Sequence, residues 1–478
     1  MTDEKHLTAD ICIIGAGSGG LSVASGTAQL GLKTILIEKS EMGGDCLNTG
    51  CVPSKALIAA AKRAEEHRKS DIKGIKGHEP DIDYAAVKDH VLDTIKIIEP
   101  HDSQERFEGL GVHVIREHAT FINSKTVQAG AFTIKAKKFV IATGSRAVIP
   151  PIKGLNPDRV LTNENLFELR EKPDHLLIIG GGAIGLEMAQ AHKRLGCKVS
   201  VFDMGNILPR DDQKNVAIAR ECLKKEGVAL YENIQIERIT HDDRDVTITM
   251  NDNGKTRDIN GSHILVAAGR KPATDDLGLD AANIKHTPRG ITIDTRLRTS
   301  NRHIFAIGDV SGGPQFTHVA GYHAGIIIRQ VCFKIPAKIN YDALPWVTYL
   351  DPEIAQVGLT EDKAKERYGD TIKIVESAFS DNDRAISARA TTGQIRVITS
   401  KKGRILGASI IGPHAGELIG VWALAISSKL KISAITSMIT PYPTLGEINK
   451  RAAGAWYTPA LFSEKTRKIV AFLQKLPF

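Results

Sequence analysis

Apolar residues in this chain gather into short unbroken runs. Asp10-Ile11-Cys12-Ile13-Ile14, Thr34-Ile35-Leu36-Ile37, Leu176-Leu177-Ile178-Ile179, Val199-Ser200-Val201-Phe202, Ile264-Leu265-Val266 and Ile304-Phe305-Ala306-Ile307 are the clearest. Runs of this length without alternation predict strands buried on both faces, as in a parallel sheet. Phe132-Thr133-Ile134 and Lys138-Phe139-Val140-Ile141 predict two further short strands. Helical stretches separate them: Leu21 to Leu30, Ala56-Leu57-Ile58-Ala59-Ala60-Ala61, and a segment opening at Phe316-Thr317-His318-Val319-Ala320. Residues 62–100 carry many charges and a looser helical period, which predicts a helix, a charged turn near Asp71-Ile72-Lys73-Gly74 and a second helix. Val148-Ile149-Pro150-Pro151-Ile152 reads as a linker. Strands that alternate with helices place the chain in the α/β class.

Two of these strands run into glycines with G-x-G-x-x-G spacing. The first set is Gly15, Gly17 and Gly20; the second is Gly180, Gly182 and Gly185. Each is followed by a helix, a strand and an acid: Glu38 stands 21 residues after Gly17, and Asp203 stands 21 residues after Gly182. Such glycines let the backbone approach a pyrophosphate, the helix N-terminus attracts it, and the acid accepts the ribose hydroxyls. Two Rossmann-like dinucleotide-binding units are therefore expected. Asp203 is followed by Met204-Gly205-Asn206, with no arginine to hold a 2′-phosphate, which favours NAD(H) over NADP(H). Ala142-Thr143-Gly144-Ser145 and Ala267-Ala268-Gly269-Arg270 mark tight turns at strand ends. Asp309 closes the run Ile304–Ile307, where ligands gather in open α/β sheets.

The chemistry concentrates in Gly43-Gly44-Asp45-Cys46-Leu47-Asn48-Thr49-Gly50-Cys51-Val52-Pro53-Ser54-Lys55. Pro53 suits the first turn of a helix. Cys51 then belongs at the helix entrance, with Cys46 in the turn before it. A thiolate at a helix N-terminus is stabilised by unpaired N–H groups and the macrodipole. Lys55, four residues on, shares the helix face of Cys51. The combination points to a redox-active cysteine pair with a cation beside it.

Length and composition narrow the class. A chain of 478 residues exceeds one core and suggests about three domains. Hydrophobic content of 42% and 43 glycines fit an α/β protein rich in tight turns. The net charge of +8 would suit an acidic partner, yet Lys and Arg are scattered and aromatics amount to only 5%, so no nucleic acid partner is expected. Six cysteines do not form a secreted disulfide framework; Cys12 and Cys197 read as core. No run spans a bilayer and the N-terminus lacks a signal pattern, so a cytoplasmic protein without a membrane partner is expected.

Together these stretches resemble the pyridine nucleotide-disulfide oxidoreductases with a C-x4-C redox pair, a family that includes dihydrolipoamide dehydrogenase, glutathione reductase and mercuric reductase. The likeness extends through Asp351-Pro352-Glu353-Ile354-Ala355-Gln356-Val357-Gly358-Leu359-Thr360 to Gly412-Pro413-His414-Ala415-Gly416-Glu417 and covers nearly the whole chain. It implies FAD on the first fingerprint, with Glu38 on its ribose and Asp309 on its ribityl chain, and NAD(P)H on the second. Lys39, Gly44, Thr143 and Gly144, then Gly269, Arg270, His318 and Ala320, are the further cofactor contacts it implies. Cys51 would face the flavin, Cys46 would exchange with substrate, and Lys55 would pair with Glu187 beside the flavin. The helix from Thr317 would stabilise negative charge on the flavin. The implied architecture is an FAD domain (1–150 and 273–341), an NAD(P) domain (151–272) and an α+β dimerisation domain (342–478) of a homodimer.

One position departs from the family. Its thiol-disulfide members carry His-Pro-Thr near the C-terminus, with a Glu five residues after the His, and that histidine is the general base for dithiol substrates, reaching in from the other subunit. Here the run is Pro441-Tyr442-Pro443-Thr444-Leu445-Gly446-Glu447: Tyr442 holds the histidine position and Glu447 is kept. A phenol titrates near about 10 rather than about 6.5, so it is a poor base at neutral pH. Mercuric reductases and soluble transhydrogenases resemble the chain in this tyrosine. Mercuric reductases, however, pass metal through a C-terminal cysteine pair, and no cysteine follows Cys332; soluble transhydrogenases lack the C-x4-C pair. The expected substrate is a small-molecule or protein-bound disulfide or dithiol, or a thiol-reactive oxidant. The alternatives are a metal ion reduced by Cys46 and Cys51 alone, or electron transfer to a quinone or oxygen.

Overall fold

The computed structural model describes residues 5–69 and 72–477. Asp71, in the expected charged turn, lies outside the described residues; the helices expected around it run over Cys51–Arg68 and Tyr84–Ile98.

The first sheet grows outward from the strand Lys5–Ile14. Ile11, Cys12 and Ile13 are completely buried: Ile11 and Ile13 belong to a cluster with the helical residues Val23, Ala24, Ile326 and Ile327, and Cys12 to one with the strand residues Phe121, Val127 and Ile134. This strand pairs in parallel with Thr34–Ile37 on one side and Phe132–Ile141 on the other, and Ile304–Ala306 adds in parallel beyond. Phe132–Ile141 corrects the expectation of two short strands. Its middle, Lys135–Lys137, stays in the ladder opposite Thr8 and Ala9 because backbone pairing does not require a buried side chain. The helix Ser18–Gln29 lies against Thr317–Val331, and a Cβ at Gly26 would fall 2.4 Å from Ile328 Cδ1.

The second sheet is wholly parallel, in the order Ala229–Tyr231, Lys198–Phe202, His175–Ile179, His263–Val266. An antiparallel meander, Gln235–His241, Val246–Asp252 and Lys255–Gly261, packs beside it and was not anticipated from the sequence. Its outer strands are largely exposed, so they carry no continuous apolar run. Ser145–Ala147 and Arg270–Pro272 form a two-stranded ribbon that ties the ends of the two nucleotide sheets together.

The C-terminal part is a five-stranded antiparallel sheet, in the order Pro345–Thr348, Glu353–Gly358, Ile405–Gly412, Gln394–Ser400, Ile372–Ala378. Helices pack on it around buried Trp422, whose indole N–H donates to Asn449 Oδ1 at 2.8 Å. The helix Gln213–Lys225 of the second unit docks here: Asn215 donates to Ser409 Oγ at 2.8 Å, and buried Arg396 is shared among Asp212, Glu361 and Glu376. Among the described residues, no helix is long and apolar enough to cross a membrane.

Candidate active site

The redox segment lies directly on the first glycine loop. Gly43 and Gly44 take φ of +85° and +58°, and a Cβ at Gly44 would fall 2.7 Å from Gly17 Cα. A side chain at either position would therefore be strained or would collide with the loop. Cys46 sits in a short helix, Gly44–Asn48, where a simple turn was expected. Its neighbour Asp45 fixes that turn: a Cβ at Gly50 would fall 2.8 Å from Asp45 O, and Asp45 Oδ1 accepts from Thr49 and Asn163. The chain then turns at Gly50 into the helix Cys51–Arg68, with Cys51 first and Pro53 in its opening turn, as expected.

Both cysteines are free thiols; Cys51 is exposed and Cys46 half-buried. Cys51 Sγ lies 3.2 Å from the hydroxyl of Thr317, the first residue of Thr317–Val331. Two helix N-termini thus converge on one sulfur, where unpaired N–H groups favour an anion. The pKa of Cys51 falls to about 6. The largest cause is a hydrogen bond from Cys46, joined by one from Thr317 and the charge of Lys55; the cleft walls and Asp45 push the other way. Cys46 is held well above the ordinary thiol range, first because it is the donor in that pair and then by burial. One sulfur is poised as a thiolate and the other keeps its proton.

Lys55 and Glu187 meet as expected. Lys55 Nζ lies 2.8 Å from Glu187 Oε2, and Glu187 Oε1 accepts from the backbone N–H of Tyr349 at 2.9 Å. The Tyr349 ring lies under the ammonium, 4.4 Å from centroid to Nζ. The Glu187 side chain is 6% exposed, and Lys55 is the cation paired with it. A cavity of about 240 Å³ opens beside the pair, lined also by Ile58, Gln190 and His414.

The two fingerprints fold alike. Glu38 accepts from the N–H of Ala16 at 2.6 Å and of Ser40 at 2.8 Å; Asp203 accepts from Gly181 at 2.6 Å and from Gly205 at 2.7 Å. A Cβ at Gly20 would fall 1.8 Å from Gly15 O, and one at Gly185 would fall 1.9 Å from Gly180 O, so helix–strand packing demands both glycines. At Gly17 and Gly182 nothing lies within 4 Å of that position, which leaves the space a pyrophosphate needs above each helix N-terminus. Both cradles fit a dinucleotide.

The remaining expected contacts divide. Asp309 accepts from Ser145 Oγ at 2.6 Å, and its burial raises its pKa. Gly144 has open space around it, as does Gly269, and Lys39 is exposed beside Glu38. The Thr143 hydroxyl is engaged with Ala273 O at 2.7 Å. Arg270 turns to Ser145 and to Asp45, 3.3 Å away, thereby bracing the redox segment. His318 stacks on Phe316 and bonds Pro345 O at 2.9 Å. Ala320 fills the crossing against Gly19 and Gly308. Tyr349 is a site residue that the sequence does not single out, because only the tertiary fold brings it to the site; Ser145 and Thr317 are read there as the end of a turn and the start of a helix, and the fold supplies their partners Asp309 and Cys51.

Tyr442 is 69% exposed, and its hydroxyl donates to Asp383 Oδ2 at 3.0 Å. The partner of the hydroxyl is thus Asp383, whose other oxygen lies 3.9 Å from Arg451. The hydrogen bond to Asp383 raises the pKa of Tyr442, and the charges of Asp383 and Glu447 add to it. Glu447 opens the helix Glu447–Ala455.

Residues 9–324 match the family described as pyridine nucleotide-disulphide oxidoreductase, and residues 344–453 match its dimerisation domain. The dihydrolipoyl dehydrogenase of Geobacillus stearothermophilus is 38% identical over 449 residues, covering 92% of this chain and 94% of that protein. The mercuric reductase of Bacillus cereus is 32% identical over 450 residues, covering 94% of this chain and 71% of that one. Among solved structures, the HOCl-induced flavoprotein disulfide reductase RclA from Escherichia coli superposes with a TM-score of 0.83 at 28% identity, covering 93% of this chain and 99% of the other. Its Cu(II) complex gives 0.82, also at 28% identity, covering 92% of this chain and 98% of the other.

Proposed function

The chain belongs to the pyridine nucleotide-disulphide oxidoreductases, FAD-dependent enzymes acting on sulfur groups, and we propose that it links NADH through FAD to a Cys46–Cys51 disulfide and on to a disulfide, a dithiol or a thiol-reactive acceptor. The observation that carries this reading is the setting of Cys51: Cys46 and Thr317 donate to its sulfur, and the Lys55–Glu187 pair lies one helical turn away. When bound, FAD supplies the relay of an electron pair between the nicotinamide and the cysteines. The protein's part is to stabilise the thiolate released when the disulfide opens. Cys51 Sγ takes that charge, Cys46 Sγ takes up a proton as the disulfide opens and gives it up again when it exchanges with substrate, and Glu187 fixes Lys55 as the nearby cation.

Glu38 and Gly15–Gly20 would hold the FAD ribose and pyrophosphate, Asp309 the ribityl chain, and the N-terminus of Thr317–Val331 the anionic edge of the flavin. Gly180–Gly185 and Asp203 would hold NADH. The three sheets support a partition into 1–150 with 273–341, 151–272, and 342–478. In the homodimer that the dimerisation domain supports, Tyr442 would stand near Cys46 of the partner subunit.

Anaerobic titration with NADH tests the proposal. A long-wavelength band from a thiolate beside the flavin is expected at two electrons and should be lost in Cys51→Ser. Its absence in the wild type would overturn the reading and leave transfer to a quinone or oxygen. A second reading, reduction of a thiophilic metal ion by Cys46 and Cys51, is favoured by the phenol at position 442 and by the mercuric reductases among the relatives. Turnover of Hg(II) without turnover of lipoamide, abolished by Cys46→Ser, would select it.

A further inference from the structure

Among the described residues, the amphipathic helix Glu464–Leu473 is covered by no part of the core. Glu464–Leu473 has no buried residue, and it comes after a short turn of helix, Thr458–Leu461. Leu461, Phe462, Ile469, Val470, Phe472, Leu473 and Leu476 are each about half exposed or more. At 100° per residue, Ile469, Val470, Phe472 and Leu473 fall within an arc of roughly 160°, and Leu476 follows just past the end of the helix. Arg467 and Lys468 occupy the opposite side, Gln474 and Lys475 follow in the turn past Leu473, and Lys465 lies just inside one edge of the stripe. Over residues 464–476 the single acidic side chain, Glu464, lies 3.3 Å from Lys468, and Lys465, Arg467, Lys468 and Lys475 outnumber it.

We infer that this helix docks the enzyme on an anionic phospholipid surface. An apolar stripe rimmed by cations is the pattern that lies in the plane of a bilayer interface, with its apolar side chains at the acyl boundary and its lysines reaching the phosphates. Ten residues make only about 15 Å of helix, which lies along a surface but does not cross it. The expectation of no membrane partner rested on the lack of a spanning run, and an interfacial helix needs none. A second copy of the chain is the less fitting occupant. It would bring two cationic rims together, and the helix begins beyond residue 453, where the match to the dimerisation domain ends.

The test uses the FAD-loaded enzyme and two vesicle preparations, one of equal parts phosphatidylglycerol and phosphatidylcholine, the other of phosphatidylcholine alone. Co-sedimentation with the anionic vesicles should exceed that with the neutral ones by at least about tenfold and should fall with added salt. Ile469→Glu combined with Phe472→Glu should leave the protein in the supernatant, with FAD content and NADH oxidation unchanged. Lys465→Gln combined with Lys468→Gln should weaken binding to the anionic vesicles alone. Wild type that stays in the supernatant with both lipids would overturn the inference, as would a double-glutamate variant that still binds. A double-glutamate variant of lower mass than wild type by light scattering would also overturn it, because the stripe would then cover a second copy.

Discussion

The pKa of Cys51 is lowered to about 6 because separate groups favour its charge. The Cys46 thiol contributes most, the Thr317 hydroxyl next, and the Lys55 ammonium last. Each stabilises the thiolate more than the thiol, so removing any of them must raise the pKa. Iodoacetamide alkylation of the reduced enzyme should therefore have a midpoint near pH 6 at Cys51, while Cys46 stays slow until alkaline pH. Cys46→Ala should move the midpoint up furthest, and Thr317→Val and Lys55→Met by less. A midpoint that stays put in Cys46→Ala would refute this account of the site. The local parts of the arrangement are legible in the chain. The glycines before Cys46, Pro53 after Cys51 and Lys55 one turn on act through short-range geometry. Thr317 is not legible as a partner, because it is 266 positions away from Cys51. Tyr349 and Ser145 share that limit: nothing in their neighbours says which distant group they will meet.

At the scale of the element, the two strand–glycine–helix–strand–acid units share the same internal geometry, and they differ in the residues just after the acid. Asp203 ends the strand Lys198–Phe202 and is held by the N–H groups of Gly181 and Gly205, which fixes its carboxylate at the mouth of the cradle. A 2′-phosphate placed there meets a fixed negative charge, and Met204-Gly205-Asn206 offers it no arginine. Repulsion worth more than about 1.4 kcal/mol gives at least a tenfold preference. kcat/KM should accordingly favour NADH over NADPH by about tenfold or more, and Asp203→Ser should narrow the ratio. Equal values in the wild type would reject the assignment. Both units are legible because a strand buried on both faces leaves an unbroken apolar run. The meander Gln235–Gly261 is not, since exposed strands need no such run. Phe132–Ile141 reads as two pieces because its central lysines interrupt the pattern while the backbone ladder continues through them.

At the scale of the whole molecule, Arg396 and Asn215 fasten the second nucleotide unit to the sheet of the C-terminal part, which also carries Tyr442. The departure at Tyr442 is legible as a substitution of residue type, but its partner is not. The sequence offers Glu447, five positions on, and the fold supplies Asp383 from a different helix. That difference sharpens what the tyrosine does. A phenol that donates to a carboxylate holds its proton more tightly, so at neutral pH Tyr442 stays protonated and takes no proton from a thiol. If the homodimer places it beside Cys46 of the partner subunit, dithiol substrates lose an assistance typically worth about 10²–10⁴ in rate. Acceptors that need no proton shuttle lose nothing. The wild type should thus turn over dihydrolipoamide poorly. Tyr442→His should raise that turnover by at least about tenfold, with a new pH dependence near about 6 to 7 as the imidazole titrates. Asp383 and Glu447 both remain to orient the ring, and Asp383→Asn in the histidine variant should lower the new pKa by removing a negative charge beside the imidazolium. Steady-state rates on dihydrolipoamide across pH, with light scattering to confirm the dimer, decide the matter. Robust dihydrolipoamide turnover by the wild type would show that the phenol is no obstacle. A folded, dimeric Tyr442→His variant that gains nothing would show that position 442 does not reach the partner's cysteines.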